Sequence, residues 1–156
     1  MTAKSKRQLT VGWREWALLR GLNCPEPVKV KIDTGAATSA LHAAHIHRFV
    51  QDDQDWVRFT IRPHQRTSDG SVRVEALLID ERRVRSSDGN SELRPVIETE
   101  ITIGNHTWPI EVTLTRRPTM GYRMLLGRQA LRNRAIVDVS RSFTTGKPAR
   151  LGKSRS

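Results

Sequence analysis

The chain is 156 residues long and 37% hydrophobic, enough for one buried core and short for two domains of ordinary size. Its formal net charge of +11 resembles that of a nucleic-acid binder, but Lys4, Lys6 and Arg7 at one end and Arg141, Lys147, Arg150, Lys153 and Arg155 at the other carry eight of those charges, leaving +3 for residues 11–140. With 5% aromatic residues and no nucleic-acid-binding motif, nucleic acid is not the expected partner; nor is a membrane, since no apolar run approaches ~20 residues and no apolar signal stretch follows the basic N-terminus.

The composition therefore predicts a basic disordered tail over 1–10, one domain over 11–140 and a second basic disordered tail over 141–156. Cys24 is the only cysteine, so no intrachain disulfide forms, which agrees with a reducing, cytoplasmic location.

Along the chain, apolar periodicity predicts a strand over 11–18 and another over 28–33. A helix over 38–50 is expected from its Ala and Leu content, and strands again over 56–62 and 72–79. Segments 94–103 and 107–115 alternate apolar and polar residues, as in Ile97-Glu-Thr-Glu-Ile-Thr-Ile103, the period of an antiparallel strand with one wet face. A short helix over 128–133 and a strand over 135–139 complete the series. Turn residues fall between the strands at Thr67-Ser-Asp-Gly70, Ser86-Ser-Asp-Gly-Asn90 and Gly104-Asn105. The fold class is mainly β, closed as a barrel or folded sheet so that its edges are paired, with one or two short helices.

Asp33-Thr34-Gly35 is the segment most suggestive of chemistry. The apolar strand Val28-Lys-Val-Lys-Ile32 runs directly into a tight turn of small residues that presents one carboxylate. Hydrolysis by carboxylates as acid and base needs two of them sharing a site. One copy per chain therefore predicts a homodimer, or an inactive relic.

Two separated motifs, Ile32-Asp-Thr-Gly-Ala36 with Thr38-Ser-Ala-Leu41, and Met124-Leu-Leu-Gly-Arg-Gln-Ala-Leu131, resemble the two signatures of the retropepsin-like aspartic peptidases. With Ser86-Ser-Asp-Gly-Asn-Ser-Glu-Leu-Arg-Pro95 and Trp108-Pro-Ile-Glu-Val-Thr-Leu114, the resemblance narrows to a bacterial, RimK-associated group often labelled "ATP-dependent zinc protease", and covers residues 11–140. It implies a closed acid-protease barrel and an intracellular aspartic endopeptidase acting as a homodimer. Asp33 of each subunit is then the catalytic residue, with Thr34, Gly35, Ala36, Leu125, Leu126, Gly127 and Arg128 supporting it. Ser87, Asp88, Gly89, Asn90 and Ser91 are the implied flap over a peptide or protein substrate, with the Ser68-Asp-Gly70 turn as its competitor. The distance from Asp33 to Leu125 exceeds that of compact viral relatives, and residues 56–79 are the expected insertion.

In viral relatives the arginine of the second motif pairs with a carboxylate shortly after Asp-Thr-Gly; here that stretch reads Ala36-Ala37-Thr38-Ser39, so Arg128 needs another partner. The group's genes commonly lie near ligases that add glutamate to a ribosomal protein, which implies an acidic or poly-glutamate substrate tail. A basic enzyme would draw such a tail in by steering that weakens with salt. The zinc and ATP of the inherited label find no support: there is no phosphate loop and no His-Glu-x-x-His pair, and His42, His45 and His47 on a shared helix are a polar face sooner than a metal site. No cofactor and no metal are expected. The alternatives are a non-catalytic peptide-binding module of the same fold and a metal-dependent hydrolase using the His42 cluster.

Overall fold

A computed structural model of the chain describes residues 8–64, 70–85, 88–116 and 121–149. Twelve strands and one short α-helix occur among these residues. They are β1 (Leu9–Val11), β2 (Arg14–Leu19), β3 (Val28–Ile32), β4 (Ser39–His42), β5 (Ala44–Gln51), β6 (Gln54–Ile61), β7 (Val72–Leu77), β8 (Asp80–Arg85), β9 (Ser91–Ile103), β10 (His106–Thr115), β11 (Met124–Leu126), α1 (Arg128–Leu131) and β12 (Ala135–Val137).

The large sheet runs β10-β4-β11-β3-β2-β9-β8, and β9 also pairs with β10, so six of its strands close into a ring with β8 as an outlying member. Closure removes the free edges that a mainly β chain must otherwise protect. It depends on the length of β9, which gives residues 91–96 to β8, residues 96–103 to β10, and Ile101 and Thr102 to β2. The inward residues of the ring, among them Val30, Leu41, Ile97, Ile101, Leu114 and Met124, are fully or almost fully buried. Each side chain of this size contributes roughly 1.5–3 kcal/mol on burial.

A separate three-stranded antiparallel sheet, β5-β6-β7, covers one side of this core with Val57, Phe59 and Ile61. Its β6–β7 hairpin occupies most of the 56–79 stretch, and β5 completes it.

The helix expected over 38–50 is not formed; that segment is β4 and β5. Helical propensity loses to pairing here. Ser39–His42 is inserted between β10, parallel, and β11, antiparallel, which buries Leu41 in the ring. Ala44–Gln51 pairs with β6 across a bulge between Ala44 and His47, where His45 takes a left-handed φ of 54°. The β5–β6 turn uses Asp52 and Asp53, both left-handed at φ 54° and 62°, the two-residue hairpin geometry usually supplied by Asn-Gly. No single-residue pattern announces that turn.

The predicted 11–18 strand is interrupted at Gly12 and Trp13, dividing it into β1 and β2. Strand β8 lies outside the expected strands; Asp80-Glu-Arg-Arg-Val-Arg85 lacks the alternation of apolar and polar residues that marks a half-buried strand. Charge on an outlying strand is a recognised defence against unwanted pairing. Arg48 holds it to β5 through a two-pronged ion pair with Glu81 at 2.6 and 2.8 Å. Hydrogen bonding from Arg48 lowers the Glu81 pKa. Both side chains are solvated, so Arg48→Ala is expected to cost under about 1 kcal/mol. Because the folded-state pKa of Glu81 is depressed, that contribution is present above the ordinary glutamate range and is lost as pH falls through the folded value; urea melts of both proteins at neutral and acid pH check this.

Packing extends past the 11–140 limits expected from charge. Leu9 is buried in β1, which pairs in parallel with β12, and residues 141–147 lie along β2. Glu15 explains the second contact. Its fully buried carboxylate accepts hydrogen bonds from the amides of Gly12 (2.7 Å), Thr144 (2.9 Å) and Thr145 (3.1 Å) and from the Thr145 hydroxyl (2.9 Å). Phe143 stacks on Trp16 beside them. Glu15→Gln would turn an amide NH2 toward backbone donors, and is expected to lower stability by about 2 kcal/mol, measured by thermal unfolding.

Candidate active site

Asp33 follows the last residue of β3, and the loop it begins is tied down from behind at nearly every residue. The Asp33 amide donates to the Leu126 carbonyl at 2.9 Å, extending the β3–β11 ladder by one residue. The Ala36 amide closes a turn onto the Asp33 carbonyl at 3.2 Å, and the Gly35 amide donates to Asp33 Oδ1 at 3.0 Å. A side chain at residue 35 would start 3.3 Å from that oxygen. Asp33 is half-buried, whereas Thr34 and Gly35 are exposed.

The second motif supplies the backing. Leu126 is buried and Leu125 half-buried in β11, between β3 and β4. Gly127 then meets the loop so closely that a Cβ would lie 2.5 Å from the Thr38 carbonyl oxygen and 2.9 Å from that of Ala36. At the start of α1, the amides of Arg128 and Gln129 donate to the carbonyls of Ala36 and Ala37 at 2.8 and 3.0 Å. The Arg128 side chain finds its partner in a main-chain carbonyl: Nη1 donates to Thr34 O at 2.9 Å. Ala36 has a backbone role only.

Ser39, expected on a helix, instead begins β4. It is buried, its hydroxyl accepts from the Gly127 amide at 3.0 Å, and its carbonyl accepts from the Thr113 hydroxyl at 2.9 Å. It links the two motifs to β10. Its place in the Thr38-Ser-Ala-Leu41 string is the sequence signal for it.

Of the expected flap residues, Asp88, Gly89, Asn90 and Ser91 lie exposed between β8 and β9 and at the start of β9. Asp88 Oδ1 accepts from the Asn90 amide at 3.0 Å, and Gly89 adopts φ 89°, a conformation that favours glycine. Ser87 lies outside the described residues, as does most of the Thr67–Gly70 turn. His42 ends β4, while His45 and His47 are exposed on β5; among the described residues no group of three or more His, Cys, Asp or Glu side chains could hold a metal. A cavity of about 430 Å³ between Trp108, Glu111 and Arg134 takes in Gln129 and Ala130 of α1 but none of the Asp33 loop.

A closed β ring carrying one Asp-Thr-Gly loop, braced by a Leu-Leu-Gly-Arg segment, defines a retropepsin-like protein. A sequence profile of the RimB-like family, described as "Retropepsin-like aspartic endopeptidase RimB", matches residues 10–148, and the chain belongs to that family.

Proteins named "Probable alpha-L-glutamate ligase" from Shewanella halifaxensis and Parasynechococcus marenigrum are 41% identical over 143 residues and 43% identical over 140 residues. The matches cover 92% and 90% of this chain but 31% and 30% of those proteins, so the chain spans under a third of their length. A Legionella pneumophila crystal structure of a protein with unknown function superposes with a TM-score of 0.73 at 28% identity, covering 89% of this chain and 99% of that one.

Proposed function

We propose that the chain is an aspartic endopeptidase that works as a homodimer in the cytoplasm, cutting a peptide bond in an acidic, glutamate-bearing tail. The observation that carries this reading is the Asp33 loop, braced from behind by Leu126, Gly127 and Arg128 while Thr34 and Gly35 face outward. One chain supplies one such carboxylate, and the chemistry takes two. In the dimer the Asp33 carboxyls meet across the twofold axis and share a proton, because two close carboxylates do not ionise together readily. The ionised member takes a proton from a water held between them, and the protonated member polarises the scissile carbonyl, so no covalent intermediate forms. Thr34 hydrogen-bonds across the axis, and the flap that carries Asp88, Gly89, Asn90 and Ser91 closes over the substrate. The ligase names of the relatives, together with the net charge of +11, support a glutamate-rich substrate.

Sedimentation of the isolated protein, paired with cleavage of a peptide library at several pH values, tests the proposal. A dimer whose cleavage disappears with Asp33→Asn is the expected result. A monomer that cuts nothing at any pH yet still binds peptide overturns it in favour of a peptide-binding module.

A further inference from the structure

We propose that Lys31, with Arg14 beside it, forms the subsite that receives a carboxylate side chain of the peptide next to Asp33; the inference deepens the hydrolytic reading above and rests on it. Strand β3 buries Val28, Val30 and Ile32 and leaves Lys29 and Lys31 half-exposed. The two-residue period of a strand carries that lysine side onward to Asp33, whose amide still belongs to the ladder.

Across the β2–β3 pairing, Arg14 stands directly opposite Lys31. Like charges in that position repel, and a sheet tolerates them at a cost. Here aromatic side chains hold the guanidinium, and the acid that follows on this side is Asp33 itself, two residues on. The Arg14 guanidinium lies 4.5 Å from the centre of the Trp13 ring and 4.7 Å from that of Phe143, with Nη1 donating to the Tyr122 hydroxyl at 3.3 Å. Its Nε is buried without a hydrogen-bond partner. Among the described residues, neither Arg14 nor Lys31 has a carboxylate partner.

The aromatic rings hold the cations in place but are themselves engaged, Trp13 edge-on with Tyr122 and under Arg14, Phe143 stacked on Trp16. A nucleic acid bound along a single strand would need open ring faces for its bases. This surface carries the Lys31 ammonium and the Arg14 guanidinium, with the Lys29 ammonium 5.5 Å from the centre of the Trp16 ring. Lys29 and Lys31 are two residues apart on one strand, about 6.6 Å, which is also the repeat of same-side side chains along an extended peptide.

The test uses the whole 156-residue chain with Asp33→Asn, so that binding is read without cleavage. Fluorescence anisotropy would compare a labelled ten-residue glutamate peptide, the matching glutamine peptide and a ten-nucleotide RNA. The glutamate peptide is expected to bind at least about tenfold more tightly than the glutamine peptide, with a preference that shrinks as salt rises. Lys31→Gln is expected to reduce that ratio about fivefold, and Lys31→Arg to keep it. Equal binding of the two peptides, an unchanged ratio in Lys31→Gln, or RNA binding as tight as the glutamate peptide would overturn the subsite. Wild-type protein that cuts neither peptide while the Lys31-dependent preference persists would refute the hydrolytic reading alone.

Discussion

Mixed in equal amounts, wild-type chain and Asp33→Asn chain are expected to give about one quarter of the activity of the same total amount of wild type, because only that share of randomly paired dimers carries two carboxylates. A chain that worked alone would retain one half. Asp33→Asn by itself is expected to lower cleavage by at least about 10³-fold, the scale on which positioned acid and base groups act. Its thermal unfolding should barely move, since the carboxylate is half-buried and its one hydrogen bond, from the Gly35 amide, can also be accepted by an amide oxygen. A mixed sample at half activity would sink the shared site even if the variant were dead.

Gly127→Ala is expected to be the most damaging small substitution in the chain's second motif. The new methyl would meet the main-chain carbonyls of Thr38 and Ala36 at 2.5 and 2.9 Å, and neither is the end of a flexible side chain. Relief requires moving the Asp33 loop away from β11, breaking the contacts of Arg128 with Ala36 and of Gly127 with Ser39. A loss of about 3 kcal/mol, or about 10 °C in Tm, is expected, with peptide cleavage falling in step. An unchanged melting temperature would show that the loop can shift freely and is not held as described.

The mainly β fold class and the meeting of the two motifs were legible in the sequence, whereas several individual elements were not. Asp33 to Ala36 and Leu126 to Arg128, far apart in the chain, are brought together by hydrogen bonds that their order and small size already made plausible: glycine where backbones meet, apolar residues where a strand is buried on both sides. The Arg128 partner was illegible because a main-chain carbonyl leaves no mark in a sequence. Among the elements, β3, β9 and β10 declared themselves through alternation. The 39–50 segment misled because Ala40, Leu41 and Ala43 favour helix locally, while the partners that make it two strands lie some 70 residues away in β10 or across the Asp52-Asp53 turn. Charge misled in both directions. It hid β8, whose charges protect an edge, and it made the 141–147 segment look loose, since the buried acceptor that holds it, Glu15, sits more than a hundred residues earlier.

Arg128 anchors the Asp33 loop through a carbonyl, and a carbonyl does not titrate. A carboxylate partner would weaken on protonation, so that the geometry of the loop would change as pH falls. With a neutral acceptor this contact stays constant over the same fall in pH. This brace of the loop, unlike the Arg48–Glu81 pair that ties β8 to β5, is then independent of pH.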